Sequence, residues 1–193
     1  GHALVNPFGP LYAPQVIAHH LRLLLDTAPL PDATYFEGVE GMWHNRWFST
    51  HVSSAELATC RRLTTDALSA ARDLLRRADV LVLTLGTDRC YRLPDGRLVA
   101  NCHKQPAATF TEHAADVETL TSDLRRALDS LRALRPELQV VWTVSPYRYA
   151  KYGLHASQLA KARLLLAVDA LCATDERSVY FPAYELLLDE LRD

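Results

Sequence analysis

The chain has 193 residues and a mass of 21.6 kDa, which on a prior of about 150 residues per domain corresponds to one domain with room for a sizeable core. Hydrophobic residues make up 49% and charged residues 23%, an ordinary globular balance that excludes disorder, collagen-like repeats and low complexity. With 21 Lys and Arg against 23 Asp and Glu the net charge is −2, which is no electrostatic footprint for nucleic acid.

The first apolar run, His2–Val5, stops at Asn6-Pro7-Phe8-Gly9-Pro10, a strand followed by a turn in which proline removes donors and Gly9 permits unusual φ. Val16, Ile17, Leu21, Leu24 and Leu25 recur at helical spacing and predict a helix over Pro14–Asp26. Pro29–Asp32 breaks the chain, and Tyr35–Val52 is aromatic and irregular. Ser53–Glu56 fits a capping box, and Leu57, Cys60, Leu63, Ala67, Ala70 and Leu74 then step by three or four along a long amphipathic helix.

Val80–Leu85 is a continuous apolar run that ends at Gly86-Thr87, the pattern of a buried parallel strand. Arg89–Leu93 and Arg97–Asn101 flank Pro94-Asp95-Gly96 as a hairpin. A helix over Val117–Leu134 stops before Pro136, and Leu138–Val144 is the next apolar strand. Ser145-Pro146, a helix through Ser157–Thr174, a short strand at Val179–Phe181 and a helix over Tyr184–Arg192 complete the alternation. Strands apolar on both faces predict a single α/β domain over 1–193. The expected form is a three-layer sandwich with a mostly parallel sheet and helices on both faces.

In that architecture ligands bind at the carboxyl ends of the strands, here near Asn6–Gly9, Gly86–Thr87, Ser145–Arg148 and Phe181–Glu185, with Asn101–Lys104 folding over the same rim. Asn101 and the backbone N–H of Gly9 or Gly86 are candidate donors to a developing oxyanion. His103 titrates in the range of a general base, and Lys104 can hold a carboxylate or phosphate. The vicinal pairs Cys102-His103 and His19-His20 diverge in extended and helical chain respectively, so no metal site is expected. The spacing of Cys60, Cys90, Cys102 and Cys172 suggests neither disulfides nor a thiolate zinc site. There is no glycine-rich phosphate fingerprint and no Gly-x-Ser-x-Gly elbow, so NAD, ATP and a standard serine-hydrolase arrangement are disfavoured and no cofactor is expected. A flavodoxin-like FMN domain shares the architecture without further sequence support. No apolar run reaches the roughly 18–20 residues of a membrane span, and the expected setting is cytoplasmic.

Six segments in order, Asn6-Pro7-Phe8-Gly9, Gly41-Met42-Trp43-His44, Leu83-Thr84-Leu85-Gly86-Thr87, Val99–Lys104, Thr143-Val144-Ser145-Pro146 and Tyr180–Glu185, together with the Asp189–Asp193 ending, resemble the GSCFA domain family, which is similar to the SGNH/GDSL hydrolases. The resemblance spans nearly the whole chain. It implies an ester or acyl hydrolase acting on a small-molecule or carbohydrate ester, with a Ser nucleophile upstream of the Asn6–Gly9 turn and a His beyond Asp193. On that resemblance the chain is expected to be an internal piece, inactive alone.

By the same resemblance, Gly9 and either Gly86 or Asn101 serve the oxyanion hole. His103, Lys104, Arg148 and Glu185 line the cleft, and Asn6, Thr87, Ser145 and Tyr184 join them as substrate-binding candidates. Tyr149 stands where the family pattern has His, and Ala160 where it has Ser. These departures motivate an alternative, a non-catalytic ligand-binding module derived from such a hydrolase. The acyl group and the oligomeric state are not encoded in any of these patterns.

Overall fold

The computed structural model describes residues 2–191. The elements in chain order begin with α1 (Pro14–Leu25), then β1 (Tyr35–Glu37), β2 (Trp43–Asn45), β3 (Ser53–Ser54) and α2 (Leu57–Leu75). There follow β4 (Val80–Leu85), β5 (Arg89–Arg92), β6 (Leu98–Val99), β7 (Thr111–Ala114) and α3 (Val117–Leu134). The chain closes with β8 (Gln139–Val144), α4 (Gly153–Cys172), β9 (Ser178–Tyr180) and α5 (Ala183–Glu185), which runs on as a π turn over Leu186–Glu190. Arg192, where the last predicted helix ends, lies outside the described residues.

A parallel sheet of order β4-β8-β9 forms the centre, with Leu83 opposite Trp142 and Trp142 opposite Tyr180. Strand sequence and strand order run the same way, so two right-handed crossovers place α3 and α4 on the same face. That face carries Leu83, Leu85, Val140, Trp142 and Val144, all buried in one core with α1, α3, α4 and Leu75 of α2. Burial of the six-residue β4 therefore alternates.

The other face is bare: Val80, Val82 and Val179 are 52%, 61% and 51% exposed. Among the described residues helices cover one face only, where the sequence predicted both. A continuous apolar run cannot distinguish one-sided from two-sided cover, because it satisfies either. β4 is also an edge strand; only β8 pairs with it among the described residues.

Two small antiparallel sheets flank this centre. The order β1-β2-β3 organises the aromatic segment that the sequence left irregular, and β6-β5-β7 adds a third strand to the predicted hairpin. His2–Val5, predicted as a strand, has no strand pairing, and Leu4 and Val5 are exposed. The predicted capping box also differs. Glu56 is the N-cap of α2 and no side chain caps it; Ser54 Oγ instead accepts from the Glu56 N–H at 3.2 Å. On α3 the cap is a side chain, with Asp116 accepting from the Thr119 N–H at 2.8 Å. Arg72 of α2 donates to Leu23 O at 3.0 Å and to Asp26 O, holding the end of α1. His20 is buried, its ring nitrogens 2.8 and 2.6 Å from the Val16 and Trp47 carbonyl oxygens, and it ties α1 to the loop after β2.

Candidate functional site

A cleft of about 180 Å³ opens beyond the carboxyl end of β4, between the start of α1, the small sheet of β5 and the loop that follows β8. Tyr12, Tyr91, Tyr149 and Tyr152 give it aromatic walls, and Thr87, Asn101, Cys102, Arg89 and Lys151 supply polar groups. Gly86 immediately precedes the lining residue Thr87. The Gly86 and Thr87 N–H groups both donate to Tyr12 O, at 2.7 and 3.2 Å, and the buried Lys161 ammonium donates to Gly86 O at 2.6 Å. Burial draws Lys161 down to about 8, helped by Arg148 and opposed by Asp88.

The candidate oxyanion donors differ in what remains free. Gly86 N–H is taken by Tyr12, and Gly9 N–H donates to Asn6 O at 2.8 Å. Gly9 sits at φ +78°, and an added Cβ would fall 1.8 Å from Ser49 Oγ, so glycine is required there by both backbone and space. Asn101 Oδ1 accepts from the His103 N–H at 2.8 Å and from the Thr50 hydroxyl at 3.3 Å. Those two contacts fix the carboxamide with its NH₂ group uncommitted to any hydrogen bond among the described residues. A free, oriented amide donor at the edge of a partly enclosed cleft is the type of group that stabilises developing negative charge.

Glu112 of β7 organises the opposite wall. It accepts from Arg89 at 3.1 Å, from Lys151 at 3.0 Å and from the Tyr152 hydroxyl, while Lys151 also donates to the Tyr91 hydroxyl at 2.5 Å. Desolvation opposes ionisation, but the Tyr152, Lys151 and Tyr91 hydrogen bonds prevail and hold the Glu112 carboxyl at about 2. The Arg89 guanidinium lies 4.2 Å above the Tyr152 ring. Burial pushes the Tyr149 phenol up to about 12, so it enters the cleft as a neutral hydrogen-bonding ring.

His103 is placed differently from a solvent-facing base. It is 2% exposed, packed on His44 at 4.8 Å and Phe36 at 5.3 Å between ring centroids, with the Asn45 backbone beside the ring. Burial, together with His44 and Arg46, lowers it to about 3.

The other sequence candidates spread around the rim. Thr87 lines the cleft beside Asn101. Asn6 is exposed at φ +46° and serves the Gly9 turn; Lys104 is exposed, 3.5 Å from Glu40. Ser145 donates its N–H to Leu85 O and accepts from the Tyr147 N–H, and Arg148 has an enclosed Nε without a partner. Tyr184 is buried with its hydroxyl on Gln158, and Glu185 accepts from the Tyr180 hydroxyl, both beyond β9, two strands from β4. Sequence reasoning passed over Tyr12, Arg89, Glu112, Lys151, Tyr152 and Lys161. The alternation of cations and tyrosines over 147–152 was the available signal.

A larger cavity, about 310 Å³, lies between α3 and the turn after α4, at the opposite end of the sheet. Its arginines are committed: Arg125 to Ala170 O and Thr174, Arg132 to Leu138 O and Asp175, Arg177 to Glu137. They cap the end of α4 and hold the strands. Among the described residues no group of three or more His, Cys, Asp or Glu converges as metal ligands, and no helix is long and apolar enough to cross a membrane.

The GSCFA family model matches residues 2–193. The chain belongs to that family. Comparison with curated proteins and with solved structures yields no match. In this GSCFA chain Thr87, Asn101 and Cys102 line one cleft with Tyr12, and the Asn6–Gly9 turn is linked toward it by the Ser49 N–H on Phe8 O and the neighbouring Thr50 hydroxyl on Asn101.

Proposed function

We propose that this GSCFA chain forms the ligand-binding half of an SGNH-like ester or acyl hydrolase whose Ser nucleophile and His base are supplied by polypeptide outside residues 1–193. The uncommitted Asn101 amide in a tyrosine-lined cleft beside the unpaired edge of β4 carries this reading. A strand added to that edge delivers its own carboxyl end to the cleft, which is where a nucleophile has to stand for Asn101 to meet the oxyanion it creates. The bare face at Val80, Val82 and Val179 supports the same view. Parallel sheets are stable with both faces covered, and a helix following the added strand completes the third layer.

Tyrosine walls with amide and cationic groups suit a sugar ring, whose apolar face stacks while its hydroxyls bond. A carbohydrate or cell-envelope ester is therefore the proposed substrate, bound without a cofactor or metal. The test is chromogenic-ester turnover by the longer polypeptide. Hydrolysis that disappears on Ser→Ala substitution in the strand joining β4 is the expected result; a longer reading frame with no Gly-Ser pair ahead of the Asn6–Gly9 turn ends the proposal.

A second reading is a non-catalytic ligand-binding module. Its support is that no serine among the described residues lines the cleft and that Tyr149 fills part of its wall. Saturable glycan binding by the longer polypeptide with no ester turnover at any pH selects it.

A further inference from the structure

The segment Asn101–Gln105 is held in a costly conformation. His103 and Lys104 are consecutive non-glycine residues with φ of +49° and +59°, both in the left-handed region that L side chains disfavour. Two local hydrogen bonds, His103 N–H to Asn101 Oδ1 at 2.8 Å and Gln105 N–H to Cys102 O at 2.9 Å, close the turn. Something outside the turn has to offset the strain. The one deeply buried side chain of this turn is the His103 imidazole, seated on His44 and Phe36. Arg46 covers that seat, stacked 3.7 Å above Phe36 and donating to Gln105.

An imidazole 2% exposed, seated on His44 and Phe36 and not among the residues that line the cleft, has no reach to a substrate there, which argues against general-base work. It does supply an apolar plug. We propose that His103 is a positioning residue: its ring, locked against His44 and Phe36, holds the left-handed turn whose N–H bonds Asn101 Oδ1 and so aims the Asn101 amide at the cleft.

The proposal rests on the hydrolase reading for the value of that amide, but its structural content stands apart from turnover. The charged and titratable groups around the plug are Arg46 and His44 from β2 and its end, Glu40 from the turn before β2, and Lys104 from the turn itself. A proton on His103 would meet the Arg46 guanidinium and a second imidazole in a desolvated space. Burial lowers His44 as well, with Glu40 opposing the fall and Arg46 and Lys104 adding to it. The ring is accordingly neutral throughout the physiological range.

The experiment compares His103→Gly and His103→Phe. Glycine takes the left-handed backbone without strain but has no ring; phenylalanine keeps a ring without titratable nitrogens. Amide hydrogen exchange in the 193-residue chain at fixed pH reads the turn directly. Exchange at residues 103 and 105 is expected to rise by about tenfold or more in His103→Gly and to return toward the parent value in His103→Phe. In the longer polypeptide, kcat is expected to fall in His103→Gly with KM nearly unchanged, and to be rescued by His103→Phe. A His103→Phe variant with a protected turn but kcat down by about 100-fold assigns proton transfer to His103 and overturns the proposal. So does unchanged exchange in His103→Gly. Absence of any ester turnover in the parent defeats the hydrolase reading alone and leaves the exchange comparison decisive for the turn.

Discussion

The Lys161 ammonium donates to the Gly86 carbonyl at 2.6 Å, joining the first half of α4 to the carboxyl end of β4, one residue before Thr87 of the cleft. Both residues are removed from bulk water on that side, and Lys161 is 2% exposed.

A stability consequence follows with a definite sign. In the unfolded chain Lys161 titrates near its ordinary 10.5, whereas burial draws the folded value to about 8. Between those values the unfolded state holds the extra proton, so stability rises with pH across that window, and the full burial penalty is present below it. Urea unfolding midpoints measured at pH 7.5 and 9.5 are expected to show this rise in the parent chain and a weaker one in Lys161→Met. Parallel curves for the two would contradict the assignment.

Asp88 is fully buried and its Oδ2 accepts from Arg163 at 2.7 Å, while Oδ1 has no hydrogen-bond partner. Removing Arg163 leaves a carboxylate in the protein interior with Arg89 3.8 Å away as its nearest ion-pair partner. Arg163→Ala is expected to cost about 3 kcal/mol in denaturant unfolding at pH 7. Arg163→Lys is expected to recover a good part of it. A loss below about 0.5 kcal/mol, the scale of an ordinary surface change, means that the pair is solvated in solution.

Gly9 and Gly96 separate backbone strain from crowding. Both have positive φ, +78° and +84°, but a Cβ at Gly96 meets nothing within 4 Å while one at Gly9 collides with Ser49. Gly96→Ala is expected to lower stability by about 1 kcal/mol, from backbone strain alone. Gly9→Ala adds an overpacking cost of about 1–3 kcal/mol. Thermal melts of the two variants side by side give the difference, and equal shifts would place Ser49 away from Gly9.

Glu112 gathers Arg89, Lys151 and Tyr152 on one carboxylate. Its folded value near 2 lies below the ordinary 4.5, so its contribution is present above 4.5 and is lost as pH falls toward 2. Glu112→Gln is expected to destabilise the chain at pH 7 by about 1–2 kcal/mol and to flatten the acid limb of a pH–stability curve. An unchanged limb would assign acid sensitivity to other groups, the buried histidines foremost.

The central crossover units were readable because their signals are local. Val80–Leu85 and Leu138–Val144 announce themselves as apolar runs, and Leu120, Leu124 and Leu131 repeat at helical spacing into a core where all three are at most 1% exposed. Thr111–Ala114 was missed as a strand because Thr-Glu-His-Ala has no apolar alternation; pairing with Arg89–Arg92 is what makes it one. The site was readable only as a set of loops. Which N–H is free at Gly9, Gly86 and Asn101 depends on Asn6, Tyr12 and Thr50, contacts that no spacing rule reaches. The burial of His103 likewise depends on His44 of β2, far away in sequence, so residue type alone suggested a base where packing makes a plug.

The one-sided cover of the central sheet also has a bearing on how the polypeptide assembles. β4 pairs with β8 across the whole β5–β7 insertion and α3, and β8 with β9 across α4, so this unit closes only after long stretches of chain are gathered in, the slow kind of assembly expected of a parallel sheet. Its valine-rich surface stays open throughout that process, the landing ground for whatever docks later. Until then it is the part of the molecule that chaperones have most reason to hold.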